Sequence, residues 1–152
     1  TNAGIRFLDK LERSKGEEFM FPHVRKAITD AWRRAGIPGV ESLDGIETHD
    51  CFTSTEYMAI DHFGLTPPGQ SWQAIESGSV EIDGKCPVNA SGGLIGVGHP
   101  VGATGARLLL DAGRQVTGTA GDYQVAGART YGTLNIGGSL GTVVSFVVGL
   151  RD

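Results

Sequence analysis

The sequence predicts an α/β domain in which a mixed β-sheet is packed between α-helices. Segments with helical spacing of apolar residues alternate with short β-rich segments, and two β-rich segments close the chain. The chain has 152 residues, of which 39% are hydrophobic and 20% charged, as expected for one globular domain with a core. Glycine occurs 24 times, about twice the usual frequency, mainly in the second half, where we expect unusual backbone geometry.

In the first half, polar residues 1–20 predict a connecting arm that leads into a domain over 21–152. Pro22 and the apolar spacing after it predict a helix over 22–35, which Gly36 ends. A strand is predicted over 43–48. The capping-box spacing of Thr53 and Glu56 predicts a helix over 54–63, and a short helix is predicted over 72–76.

In the second half, residues 84–101 are predicted to form a loop with tight turns. A helix is predicted over 102–116, with the apolar residues Ala106, Leu109, Leu110 and Ala112 on its buried side. Strands are predicted over 131–136 and 142–148. The continuous apolar run "TVVSFVV" is typical of a central strand.

Composition excludes several classes of function. The net charge is −4 without a basic block, which argues against nucleic acid or an anionic membrane as partner. No apolar run approaches the ~18 residues of a membrane span, and the first residues do not resemble a signal peptide. The isolated cysteines Cys51 and Cys86 predict reduced thiols and a cytoplasmic location rather than a disulfide framework.

The stretch "SGGLIGVGHPVGATGAR" places His99 among glycines, just before a predicted helix. The following proline holds His99 extended, and the glycines allow a ligand to approach the backbone closely. The stretch lacks the Lys-Ser/Thr pair of a P-loop, and Val101 stands where a dinucleotide-binding loop needs its third glycine. His99 is therefore either a functional side chain beside a ligand or part of a structural turn.

Three further segments hold candidate residues. In "HDCF", Cys51 follows a strand and precedes a helix, where a thiol can have a lowered pKa; the alternative is a small buried side chain. In "LNIGGS", Asn135 either orients a water or carbonyl or belongs to a hairpin turn. Cys86 has no acid-base partner nearby in sequence. The wide spacing of His49, Cys51, Cys86 and His99 argues against a zinc site.

These motifs resemble the thiolase family. "PVNASGGLIGVGHPVGATGAR" resembles the signature that carries a catalytic histidine, and "HDCF" resembles a loop of the sterol-carrier-protein-type thiolases. The segment "FPHVRKAITDAWRRAGIPGVESLDGIETHDCF" resembles the helix, strand and loop that open the C-terminal half of the family. The resemblance begins at about Phe21 and implies a thiolase C-terminal half whose N-terminal half, with the nucleophilic cysteine, is absent here.

The resemblance also implies roles for individual residues. His99 would take the proton of that cysteine, His49 would help to form an oxyanion hole, and Cys51 would replace an acid-base cysteine whose usual position holds Asn135. Substrate contacts would come from Ser91, Gly92, Gly98, Gly137 and Gly138. The implied substrate is a coenzyme A thioester, with no tightly bound cofactor or metal, in a parent protein that is a homodimer.

Three hypotheses remain open. The protein is part of an acyl-CoA C-acyltransferase that cleaves or forms 3-ketoacyl-CoA. Alternatively, because Asn135 replaces a cysteine, it is a thiolase-like retro-aldolase that acts with a small partner protein. The third hypothesis is a non-catalytic domain that has kept the fold. Under each of them, the isolated chain is expected to be inactive as a thiolase.

Overall fold

A computed structural model describes residue 12 and residues 14–150. The predicted arm lies mostly outside these residues, and its described part, 14–20, forms turns and bends. The helices are α1 (Pro22–Ala35), α2 (Thr53–Phe63), α3 (Ser71–Glu76), α4 (Gly93–Val97) and α5 (Thr104–Thr117), with 3₁₀ turns at Val40–Ser42 and Gly121–Tyr123. The strands are β1 (Gly45–Thr48), β2 (Thr130–Gly137) and β3 (Thr142–Gly149). No helix in this part of the chain is both long and apolar enough to cross a bilayer.

The three strands form one mixed sheet in the order β1-β2-β3. β1 pairs with β2 in parallel, whereas β2 and β3 are antiparallel neighbours joined by a tight turn. Val88 adds an isolated parallel bridge to Ile46 on the other side of β1. The predicted α/β class with a mixed sheet is therefore confirmed.

The side chains of β2 point alternately to the two faces of the sheet, and helices cover both faces. Leu134 and Ile136 belong to one apolar cluster with α1 and α2. Tyr131 belongs to a second cluster with Ala112 and Val116 of α5. The sheet thus lies between helices, as the sequence predicts.

The first helix has the predicted bounds, and its Gly36 adopts the left-handed conformation that ends a helix. At α2 the predicted capping box is wrong. The helix begins at Thr53, and Thr55 rather than Thr53 reaches back, since its hydroxyl donates to the Phe52 carbonyl at 2.6 Å. The same oxygen lies 3.3 Å from the Phe52 amide.

Two burial predictions for the second half are wrong. β3 lies at the edge of the described sheet, with Val144 and Phe146 exposed, and β2 is the central strand. Leu109 and Leu110 of α5 are also exposed, because the helix turns Leu108, Ala112 and Val116 towards the sheet. An apolar run or a helical spacing indicates an element but does not show which of its sides another element covers.

β1 buries a carboxylic acid at its centre. Glu47 is fully buried, and it accepts hydrogen bonds from the Ser91 hydroxyl at 2.6 Å and the Ser91 amide at 3.1 Å. Burial raises the pKa of Glu47 from 4.5 to about 7; Asp111 adds to the rise, and the Ser91 hydrogen bonds and Arg107 oppose it. The buried Glu47 carboxyl therefore has a pKa near neutral pH.

We predict that Glu47 makes the domain less stable as pH rises from about 4.5 to 7. The folded state binds the proton more tightly than the unfolded state, so the free energy of unfolding falls over this window by about 3 kcal/mol. Glu47→Gln keeps a donor and an acceptor for Ser91 but cannot ionise. Urea unfolding at pH 5 to 8 should give a flatter pH profile for Glu47→Gln, whereas exposed Glu41→Gln should follow the wild type. Parallel profiles for Glu47→Gln and wild type would contradict the prediction.

Candidate active site

The parallel pairing of β1 and β2 brings His49 and Asn135 together. Thr48 pairs with Leu134, and the amide of His49 continues the ladder by donating to the Leu134 carbonyl at 2.9 Å. Both side chains then leave the same edge of the sheet, and Nδ1 of His49 lies 2.9 Å from Oδ1 of Asn135. An amide oxygen only accepts hydrogen bonds, so with this amide orientation Nδ1 carries the proton.

His99 reaches the same place from the loop between α4 and α5. Its ring meets the ring of His49 edge to face, with 4.8 Å between the centroids. Its Nδ1 lies 2.7 Å from the hydroxyl oxygen of Thr104, which itself donates to the Pro100 carbonyl at 3.2 Å. The Thr104 oxygen therefore accepts from Nδ1–H, and Nε2 of neutral His99 is the basic nitrogen.

The two histidines open onto a pocket of about 520 Å³. Cys51 and Asn135 share its polar side with them, and Gly137 and Gly138 form part of its wall. Cys51 is half-buried, with its sulfur 4.0 Å from the Thr55 hydroxyl. The apolar wall comprises Phe21, Phe52, Val101, Ile136 and Leu140. The pocket thus combines a group of acid-base side chains with room for an apolar ligand.

The turn after β2 forms one side of this pocket with a strained backbone. Ser139 and Leu140 have φ angles of 52° and 70°, in the left-handed region that side chains other than glycine seldom adopt. His23 at the start of α1 lies within hydrogen-bonding distance of the Leu140 carbonyl, at 3.1 Å. Strain of this kind costs about 1–3 kcal/mol per residue and is often found at binding sites.

A short helix, α4, stands where the sequence predicts only loop. Asp50 is buried behind the site and accepts a 2.6 Å hydrogen bond from the Leu94 amide in the first turn of α4. Gly93 has a φ of +59°, and a Cβ at this position would overlap the Asp50 carboxylate. The long-range contact to Asp50 stabilises a helix that local sequence does not predict. The position of Asp50 inside "HDCF" is the one sequence signal that could have indicated this contact.

The predicted site residues do not all lie at the pocket. His99, His49, Cys51, Asn135, Gly137 and Gly138 line it. The other predicted substrate contacts, Ser91, Gly92 and Gly98, are absent from its lining, and their contact with substrate stays a prediction. Ser91 holds Glu47, Gly92 precedes α4 with a φ of 93°, and the Gly98 carbonyl accepts from Arg107.

The second cysteine lies elsewhere. Cys86 is buried against a separate small cavity that Leu43 and Leu65 also line. Burial raises the pKa of its thiol to about 12, with a smaller contribution from Asp44. Cys86 therefore stays a neutral thiol at physiological pH, whereas Cys51 is the cysteine placed beside the histidines.

Comparison with known proteins decides the family. A model described as "Thiolase C-terminal domain-like" matches residues 7–150. The chain belongs to this thiolase family. The histidine loop and the "HDCF" loop, whose sequences resemble thiolase motifs, thus line one pocket in a thiolase C-terminal domain.

Individual relatives agree with this assignment. The thiolase domain is 42% identical to an acetyl-CoA acetyltransferase of Methanothermobacter thermautotrophicus over 76% of the chain and 30% of that protein. It is 36% identical to sterol carrier protein 2 of Rattus norvegicus over 84% of the chain and 23% of that protein. The chain therefore spans less than a third of either relative. A solved structure named Ltp2-ChsH2(DUF35) aldolase shares the fold, with a TM-score of 0.75 and 21% identity over 84% of the chain and 32% of that structure.

We predict that Gly105→Ala disrupts the pair of Asn135 and His49. Gly105 lies in α5, and a Cβ there would come within 2.7 Å of the Asn135 side-chain nitrogen. Because Gly105 has no Cβ, helix α5 can approach the end of β2 closely. Overpacking costs about 1–3 kcal/mol, more than the gain in helix propensity of about 1 kcal/mol. Urea unfolding should therefore show a net loss of stability.

Gly113→Ala is the matched control, since Gly113 lies in the same helix with open space at its Cβ position. It should stabilise the chain by up to about 1 kcal/mol. Equal stabilisation by both substitutions would refute the steric role of Gly105.

Proposed function

We propose that this domain is part of an acyl-CoA C-acyltransferase that interconverts 3-ketoacyl-CoA and coenzyme A with two shorter acyl-CoA thioesters. The observation that carries the proposal is the meeting of His49, His99, Cys51 and Asn135 at one pocket of a thiolase-family domain. The parent protein would supply the N-terminal half and form a homodimer. A tightly bound cofactor is not needed, because each step moves a proton or an acyl group.

His99 would activate the nucleophile. In thiolysis a cysteine from the N-terminal half gives its proton to Nε2 of His99, and the thiolate attacks the 3-keto carbon. The bond between the α-carbon and that carbonyl carbon then breaks, leaving an acyl-cysteine and the enolate of the shorter thioester. The hydrogen bond of Nδ1 to Thr104 keeps Nε2 basic and fixes the ring.

His49 would stabilise the enolate oxygen, and Cys51 would protonate the enolate carbon. Enolate oxygen needs a hydrogen-bond donor, and His49 donates through Nε2 either as an imidazolium or with the Asn135 amide turned so that its NH₂ group faces Nδ1. Cys51 would protonate the α-carbon and thereafter remove the proton of an incoming coenzyme A thiol. Attack of that thiolate on the acyl-cysteine then releases the second product and restores the nucleophile.

The apolar wall of the pocket indicates which kind of acyl group the proposed enzyme takes. Phe21, Val101 and Leu140 come from three separate segments and face the same space as the histidines. An acyl chain that packs on this wall gains about 25 cal/mol for each Å² of apolar surface it buries. We therefore propose an acyl unit with an apolar body beyond the reacting carbonyl.

A retro-aldolase is the second candidate. It is favoured by the amide of Asn135, which is held by His49 at 2.9 Å where thiolases usually place a thiol. Such an enzyme would cleave a β-hydroxyacyl-CoA and would act with a small zinc-ribbon or OB-fold partner. Co-purification of that partner and aldehyde or ketone release from a β-hydroxyacyl-CoA would favour it over acyl transfer.

We predict separate defects for His99→Ala and Cys51→Ala in the full-length protein. Loss of a general acid or base costs about 10²–10⁴-fold in rate, so both should lower kcat/KM for thiolysis by that order. His99→Ala should abolish acylation of the nucleophile by acyl-CoA. Cys51→Ala should allow acylation but abolish exchange of the α-protons of acetyl-CoA with D₂O, measured by NMR.

Cys86→Ala is the control, because Cys86 lies outside the pocket, and it should keep the wild-type kcat/KM. Wild-type kcat/KM in both His99→Ala and Cys51→Ala would reject the proposed acyltransferase site. A wild-type protein that neither acylates nor cleaves any acyl-CoA would support the non-catalytic alternative instead.

A further inference from the structure

The loop that carries His99 has few apolar contacts of its own. Within α4 only Leu94 has a buried large side chain, whereas Ile95 and Val97 are exposed. Gly98 directly precedes His99 with a φ of +111°, a conformation that glycine adopts without cost but does not by itself fix. Polar contacts therefore hold the loop, and the hydrogen bonds to Asp50 and Thr104 are two of them.

Arg107 supplies such a contact at both ends of α4. Its Nη2 donates to the Gly93 carbonyl at 2.8 Å, and its Nη1 donates to the Gly98 carbonyl at 3.3 Å. These two carbonyls belong to the first residue of α4 and to the residue that follows the helix. A guanidinium has a rigid fork of N–H donors, so one side chain can join two acceptors that the ammonium of lysine cannot hold in the same way.

The guanidinium of Arg107 is itself restrained by Asp111. Nε of Arg107 lies 3.3 Å from Oδ2 of Asp111, an ion pair in which Nε makes no hydrogen bond, and the two side chains are 19% and 6% exposed. The Tyr123 hydroxyl donates to the other oxygen of Asp111 at 2.9 Å, and Arg114 approaches that oxygen at 3.5 Å. A partly buried ion pair whose carboxylate also accepts a hydrogen bond from Tyr123 restricts the rotamers of Arg107 more than an exposed pair does. Arg114 is 46% exposed and adds little to this restraint.

We propose that Arg107 is a positioning residue for His99, in addition to Thr104. By joining the carbonyls of Gly93 and Gly98, it fixes the backbone on which the imidazole is mounted, while Asp111 and Tyr123 fix the guanidinium. The inference rests on the proposed function for its catalytic consequence. Arg107 is absent from the lining of the pocket and acts through the backbone rather than on substrate.

The test compares Arg107→Met, Arg107→Lys and Arg114→Met in the full-length protein. Arg114→Met is the matched control, since Arg114 also contacts Asp111 but donates to neither α4 carbonyl. The first measurement is hydrogen–deuterium exchange of peptides that cover residues 92–100. Arg107→Met should raise their exchange rate at least tenfold, with β2 and the rest of α5 unchanged, and Arg114→Met should leave the rate at the wild-type value.

The second measurement is steady-state thiolysis. Misplacing a catalytic group by about 1 Å costs about 100-fold, so Arg107→Met should lower kcat by that order with KM within twofold of wild type. Arg107→Lys should recover part of the loss, because an ammonium can bond one carbonyl of the two. A merely structural residue would lower thermal stability without this split between kcat and KM.

Three outcomes would overturn the proposal, and the first two are unchanged exchange of residues 92–100 in Arg107→Met and raised local exchange with wild-type kcat. Exchange that rises equally throughout the domain would also overturn it, since Arg107 would then support the fold rather than the loop. Full activity of His99→Ala is a different failure, which rejects the proposed function and not the restraint of the loop by Arg107.

Discussion

Four residue pairs join β1 to β2 in parallel, and the positions of the site residues depend on their register. Because the register places Thr48 opposite Leu134, the next residues, His49 and Asn135, lie side by side, His49 just beyond β1 and Asn135 inside β2. A shift of one residue would turn the side chain of Asn135 to the opposite face, among the apolar residues under α1 and α2. The absence of a side chain at Gly105 then lets α5 approach Asn135, which brings the His99 loop to the same edge.

Much of the fold follows from local sequence signals. Helix α1 has the predicted bounds because proline, apolar spacing and a terminal glycine all agree there. The prediction of loop over 84–101 is wrong for α4, since Gly92 and Gly93 indicate a loop, whereas the helix is held by residues distant in sequence, Asp50 and Arg107. The exposure of Leu109 and of the edge strand β3 could not be predicted, because it depends on which elements pack on which side.

Some residues of the site can likewise be predicted from the sequence, and others cannot. His49, Cys51, His99 and Asn135 could be named from two loop motifs, since reactive side chains flanked by glycine or by a strand end are visible in sequence. Glu47 and Arg107 could not, although Arg107 closes the histidine motif, and the one sequence signal for Asp50 is its place inside "HDCF". A glutamate in a strand or an arginine in a helix is usually exposed, and only the folded chain shows that these charges are buried against the backbone of the site.

Among residues 14–150 the outer edge of β3 has no partner strand, which has a consequence for handling the protein. Val144 and Phe146 are exposed on it, and an open groove beside α1 runs along Val143 to Val147. A strand edge of this kind offers backbone donors and acceptors to any extended segment in solution. At the concentrations used for crystallisation or NMR, the chain by itself therefore has an aggregation-prone side. A lysine at position 146, which pairs with Thr133 and not with Asn135, would blunt it.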